Sequence, residues 1–359
     1  MIAVLWVVAT ITSPQVLTKA SPHPASSPAV RHAPLFDHLP QPWPPAVALL
    51  LPLVVGVLLM PWAIGLLSRH GMGQRIREEG PQSHLAKGGT PTAGGLVVIA
   101  LILLTLVFID RSRSLLPVLA ALGLGACLGL VDDLVMVRSR AWTRGLLARQ
   151  KIVVQLGIGL AIGAWFWALG MDHQVVPLLG TWKMGFLIVP VAGLALVAAS
   201  NAFNLTDGSD GLAPGVILLV ALVLALMLKG NGHQVALVRL LLAVVGAMGA
   251  FLVYNVPPAR VFLGGVGSEG LGMLLAAAAI AGGLVWYLPL LALVPVLETL
   301  SVIIQVFSFK ARGKRVFRMS PLHHHFQLGG WSEWMVALCA WAATSLAGTL
   351  SLILSRRPA

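Results

Sequence analysis

Four aspartates and three histidines are the residues of this chain best suited to chemistry. Asp132 and Asp133 are adjacent in Gly-Leu-Val-Asp132-Asp133-Leu, where an apolar run ends. Paired carboxylates at such a point concentrate negative charge and suit a hard divalent cation, which takes oxygen ligands. Asp207 and Asp210 stand three apart in Asn204-Leu-Thr206-Asp207-Gly208-Ser209-Asp210-Gly211, so they share a face if the segment is helical. Lys87-Gly-Gly-Thr90-Pro91-Thr92-Ala-Gly94-Gly95 combines an ammonium, hydroxyls and pliant backbone, a set suited to phosphate, without the spacing of a P-loop. In Asn255-Val-Pro-Pro-Ala-Arg260-Val-Phe262-Leu-Gly264-Gly265-Val-Gly267-Ser268-Glu269, an aromatic beside glycines can stack on a base. His323, His324 and His325 are consecutive and cannot all face one way, so they are expected to hydrogen-bond phosphate or sugar rather than form one metal site. Glu298 and Gln305 lie inside an apolar run, where a charge usually faces a cavity or a partner. Taken singly, each motif also fits a solvated helix end, an ordinary turn or a buried pairing.

The elements that must position these residues are membrane spans. Hydrophobic residues make up 58% of the chain and charged ones 10%, with mean hydropathy +0.90. A soluble domain carries about 25% charged residues, so this composition excludes a water-covered exterior. Apolar runs at 46–68, 94–110, 115–131, 151–170, 184–200, 212–229, 234–254, 270–287, 288–308 and 334–355 give ten expected spans. They lack period-2 alternation, so the expected fold is an all-α, polytopic membrane protein rather than a barrel. Pro289 and Pro295 predict a bend in the ninth span. Residues 1–45, a short apolar start followed by a Pro/Ser/His linker, are read as an N-terminal extension. The start is also compatible with a signal segment. Residues 46–359 form a single transmembrane catalytic domain.

Charge assigns the sides. If ten spans alternate, 15 of the 24 Lys and Arg residues fall in loops on one side, among them Arg77, Lys87, Arg149, Lys151, Arg260 and Arg318. The positive-inside rule makes that side cytoplasmic and puts both termini outside. Eight of the 12 acidic residues lie there too, including Asp132, Asp133, Asp207, Asp210 and Glu269, and carboxylates do little to set topology. A net charge of +12 split among short loops suits lipid headgroups and phosphates and excludes nucleic acid as the partner. Cys127 and Cys339 are expected as small packing residues without a disulfide.

In order and spacing the motifs resemble the bacterial phospho-N-acetylmuramoyl-pentapeptide transferases, within the polyprenyl-phosphate hexosamine-1-phosphate transferase superfamily. The matching stretches include Arg77 to Leu85, Lys87 to Gly95, Asp132-Asp133, Ala148-Arg149-Gln150-Lys151, Asn204 to Gly211, Glu298 to Gln305 and Pro321-Leu-His-His-His-Phe326. The histidine segment favours the muramoyl-pentapeptide branch over the N-acetylglucosamine branch. The resemblance implies a cytoplasmic active site in the cytoplasmic membrane. It implies transfer of phospho-MurNAc-pentapeptide from its UDP carrier to undecaprenyl phosphate, giving lipid I and UMP, with Mg²⁺. It implies nucleotide-side contacts from Lys87, Thr92, Lys151, Asn204, Asp207, Asn255, Phe262 and Gln305. Asp132, Asp133 and Asp210 would make an acidic catalytic centre lined by His323, His324 and His325. Membrane lipids are further partners, and a homodimer is compatible with the pattern.

The sequence departs from the family at one place. The family reads Phe-x-Gly-Asp-x-Gly-Ser after Asn255, with that Asp linked to Mg²⁺, and this chain has Gly265 there. Glu269 is four residues on, one turn along the same face of a helix starting near Gly265. With Asp132 and Asp133, Glu269 is therefore the expected source of metal-facing charge. Weak activity, or none, is the other expectation that Gly265 raises.

Overall fold

The computed structural model describes residues 43–69, 89–110, 112–138, 146–229 and 234–355. Twelve α-helices are seen among them: α1 (Pro45–Arg69), α2 (Gly94–Ile109), α3 (Leu116–Arg138), α4 (Ala148–Ala168), α5 (Ile188–Thr206), α6 (Leu212–Leu228), α7 (Val235–Asn255), α8 (Gly264–Ala281), α9 (Leu288–Leu291), α10 (Leu293–Arg312), α11 (Leu322–Gln327) and α12 (Glu333–Ser355). Eight helical segments are long and apolar enough to cross a membrane, and α2 and α6 are shorter apolar helices. The protein is thus a polytopic, all-α membrane protein. Leu58, Trp62, Phe108, Val153, Phe307 and Leu346 are exposed on the outside of the bundle, where lipid is the natural solvent. Cys127 and Cys339 are also exposed there, which corrects the expectation that they pack inside.

The central helix is α8, which is buried along nearly its whole length and packs against α3, α5, α2 and α6. Glycine makes this possible. A Cβ on Gly129 of α3 would run into the Gly265 carbonyl of α8, and one on Gly95 of α2 would run into the Gly267 backbone. Backbones at this distance bring the Asp132-Asp133 turn of α3 directly onto the first turn of α8.

Helices run past the apolar runs that announced them, three of them at the acidic motifs. α3 continues from the expected 131 to Arg138, α5 from 200 to Thr206, and α8 starts at Gly264 rather than 270. In each case polar side chains meet partners across the bundle, so the helix need not stop where hydropathy falls. The ninth span breaks as its prolines predict: α9 ends at Leu291, Ala292 leaves helical geometry, and α10 begins at Leu293.

One feature was not expected. A hairpin, β1 (His173–Val176) and β2 (Gly180–Lys183), pairs antiparallel with His173 opposite Lys183 and Val176 opposite Gly180. Gln174 fastens it to the far end of α8, donating to the Ile280 carbonyl at 2.9 Å and accepting from the Val285 N–H at 3.1 Å. α1 begins and α12 ends at this far end of the bundle, away from the acidic residues.

Candidate active site

The other end of the bundle gathers the ends of α3, α5, α7 and α10 with the starts of α4, α6 and α8. Asp133 accepts from the backbone N–H groups of Gly265 and Val266, at 3.2 and 3.3 Å. A carboxylate there is favoured by the free N–H groups and positive end of α8. Gly264, at φ +74°, makes the turn into that helix, and its N–H is given to Asp207. Asp210 accepts from the Ala259 N–H at 2.8 Å and is buried. Burial pushes the Asp207 carboxyl well above the usual carboxylate range; repulsion from Asp133 and then Asp210 adds to this, and the Gly264 N–H works against it. Asp133, Asp207 and Asp210 therefore form one acidic face, built from two chain segments and held by backbone N–H groups of a third.

Asp132 turns the other way. It accepts from the Leu146 N–H at 2.7 Å and from Lys151 Nζ at 3.0 Å. Lys151 Nζ also lies 2.6 Å from Glu269 Oε1. Gln155, one turn along α4 from Lys151, donates to Glu269 at 3.2 Å and accepts from Asn201 Nδ2 at 2.6 Å.

The histidines face three ways, in keeping with their spacing. His323 is 1% exposed, and Glu298 of α10 meets both its backbone N–H (3.2 Å) and its Nδ1 (3.3 Å). Its Nε2 has no hydrogen-bond partner and faces Gly208, where an added Cβ would strike the ring. His324 pairs with Gln327, which reaches Ser209 at 2.9 Å. His325 Nδ1 accepts from the Arg318 N–H at 3.1 Å. The glycine between Asp207 and Ser209 thus lets a buried imidazole lie against the acidic turn.

Curated relatives are similar over most of their length. A phospho-N-acetylmuramoyl-pentapeptide-transferase of Moorella thermoacetica is 47% identical over 315 residues, 85% of this chain and 97% of the relative. That of Halalkalibacterium halodurans is 41% identical over 317 residues, 86% and 96%. The chain belongs to the phospho-N-acetylmuramoyl-pentapeptide-transferase family. The same-named protein of Bacillus subtilis (strain 168) is 39% identical over 312 residues, 85% of this chain and 95% of the relative. The family profile described as Glycosyl transferase family 4 matches residues 115–283, the stretch from α3 to the end of α8.

Lys87 lies outside the described residues, as does Arg77. Thr92 is buried beside Gly264. The segment around it is tied to the Phe262 loop, with the Phe262 N–H on the Pro91 carbonyl and the Gly94 N–H on the Phe262 carbonyl, both 2.9 Å. Phe262 itself is half-buried. Asn204 donates to Ser268 Oγ at 3.1 Å. Asn255 accepts from the Gly211 N–H at 2.9 Å and donates to the Val261 carbonyl at 2.7 Å, joining two site loops. Gln305 accepts from the Val316 and Phe317 N–H groups and donates to the Phe317 carbonyl, holding the loop that leads to the histidines. Sequence reasoning missed Gln155, Ser200, Ser268 and Gln327 as site residues. Gln155 was findable as a lone polar residue four after Lys151 in an apolar run.

A divalent cation fits the acidic face. Its donors are hard carboxylate oxygens, and Asp207 is under repulsion from two neighbours that such a cation would relieve. Among the described residues no three Asp, Glu, His or Cys side chains form a ready cage. Mg²⁺ commonly takes one or two carboxylates and completes its shell with water and substrate phosphates, so a partial set matches a phosphate-handling site.

Proposed function

We propose that the protein transfers phospho-MurNAc-pentapeptide from UDP-MurNAc-pentapeptide to undecaprenyl phosphate, forming lipid I and releasing UMP at the cytoplasmic face of the cytoplasmic membrane. The observation that carries this reading is the meeting of Asp133, Asp207 and Asp210 at one end of a membrane bundle, beside Lys151 and His323. The names of the relatives support the substrate pair. Ten crossings, counting α2 and α6, with both termini outside agree with the loop charges.

Phosphoryl transfer needs alignment and charge neutralisation more than covalent help. Mg²⁺ held at Asp133, Asp207 and Asp210 would neutralise the diphosphate and the leaving UMP. The acceptor phosphate monoester has a second pKa of about 6 and is already mostly dianionic near neutral pH. A strong general base is therefore not required. The chain's part is to hold the reactants in line: Phe262 and Asn204 on the nucleotide side, His323 and His324 over the acidic turn, and Thr92 at the phosphates.

Gly265 favours a second reading, an impaired relative. A Cβ there would meet Asp133 Oδ1 at 2.9 Å, so Asp133 already occupies the space a side chain would need. The test is Mg²⁺-dependent lipid I formation by the purified native chain and by Gly265→Asp, with UDP-N-acetylglucosamine as a control donor. The native chain is expected to form lipid I and the variant to be slower. Activity in the variant alone would establish the impaired reading, and transfer of N-acetylglucosamine phosphate instead would reassign the donor.

A further inference from the structure

Glu269 is fully buried inside the helix bundle, in the second turn of α8, four residues on from Gly265. An ionised carboxylate in such a place is costly unless it has a strong partner and usually marks function. Its partner is Lys151, at 2.6 Å, and Gln155 supports the second oxygen at 3.2 Å. Gln155 is itself fixed by Ser200 at 3.1 Å and Asn201 at 2.6 Å. Lys151 and Gln155 are one turn apart on α4, so both present to Glu269 from one face. The far side of the ammonium meets Asp132 at 3.0 Å. Lys151 is therefore gripped from two sides, by a carboxylate within the bundle and by one at the site.

A lysine is a compact charge on a flexible four-carbon stem with three rotatable donors. Held by Asp132 alone, the ammonium could turn to the carboxylates beyond, and Asp133 already lies within its electrostatic reach. There it would compete with a divalent cation for the same oxygens. We propose that Glu269 is a positioning residue: it keeps the Lys151 ammonium docked on Asp132 and off the Asp133/Asp207/Asp210 face, leaving that face to a divalent cation. The inference rests on the transferase reading of that face and adds how its cation affinity is set. Glu269 then acts through Lys151 and not as a metal ligand, although its spacing from Gly265 suggested the latter role.

The test uses the full-length protein in detergent and Mn²⁺ binding followed by electron paramagnetic resonance, alongside Mg²⁺ titration of transfer. Glu269→Gln keeps the shape and removes the charge. It is expected to weaken Mn²⁺ binding about tenfold, a change of roughly 1.4 kcal/mol, and to raise the Mg²⁺ needed for half-maximal rate in parallel. KM for the nucleotide sugar at saturating Mg²⁺ should stay within about twofold, since a uniform binding contribution is not being removed. The double variant Glu269→Gln/Lys151→Gln should recover native or tighter Mn²⁺ binding, whatever its activity, because the competing ammonium is gone. Unchanged Mn²⁺ affinity in Glu269→Gln, or affinity still weak in the double variant, would overturn the proposal. A native chain that binds no Mn²⁺ would also overturn it. A native chain that binds Mn²⁺ yet makes no lipid I would defeat the transferase reading, while the Mn²⁺ comparison would still judge Glu269.

Discussion

The two ends of the helix bundle both bury ions, and they do so on different terms. At the far end Arg239 of α7 meets Asp110 at 3.1 Å and the Trp43 carbonyl at 2.9 Å, and Asp110 caps the Ser112 N–H at 3.0 Å. One cation faces one anion, and each also holds a backbone group. Such a pair welds the start of α1 to α2 and α7. At the site end Asp132 and Glu269 share one buried cation, Lys151, while Asp133, Asp207 and Asp210 gather beside them as further negative charge. Balanced charge locks a structure, whereas surplus charge of one sign makes a place for a cation that the chain does not itself supply.

The sharpest way to break this contrast is to remove charge at the site. Asp133→Asn should cut lipid I formation by about 10²–10³-fold, the range seen when one electrostatic stabiliser is lost, with the melting temperature little changed. A variant keeping more than about a tenth of native activity would remove the acidic face from the reaction. Removing charge at the other end should do the reverse. Arg239→Met leaves Asp110 buried and unpaired and should destabilise the fold by about 3–5 kcal/mol, read by thermal melting. The folded fraction should keep its specific activity, and Arg239→Met/Asp110→Leu should regain much of the loss. Equal damage to the specific activity of folded protein would erase the distinction between the ends.

Smaller changes have smaller expected effects at the same site. Gly208→Ala should push His323 off the acidic turn and slow turnover by roughly tenfold, the scale of one misplaced positioning group; native turnover would separate the imidazole from the chemistry. The smallest effect concerns pH. The Asp207 carboxyl is raised in the folded protein, so the fold binds its proton more tightly than the unfolded chain does. Its contribution to stability is fully present below the ordinary carboxylate range and is lost as pH rises through the raised folded value. Without divalent cation, Asp207→Asn should therefore melt about 1–3 °C higher than native near neutral pH, with the gap closing on acidification and on adding Mg²⁺. A gap that widens on acidification would reverse the sign assigned to Asp207.

Much of this was legible in the sequence, for physical reasons. A lipid-facing helix must be apolar along its length, so hydropathy marked every crossing helix to within several residues, and prolines marked the break before α10. The carboxylates and histidines were visible because charge is rare in such a chain. Residue order and composition were enough to specify a helical membrane protein with its acidic motifs at the loop ends of its spans. The pairings came from packing. Helix ends at Arg138, Thr206 and Gly264 depended on partners from other helices, and Gly129 mattered only once Gly265 lay against it. Asp132 and Asp133 are neighbours in the chain yet face different groups, one toward Lys151 and one toward the first turn of α8. Spacing along a chain fixes which residues share a face, but the partner across a contact is chosen by how the helices pack.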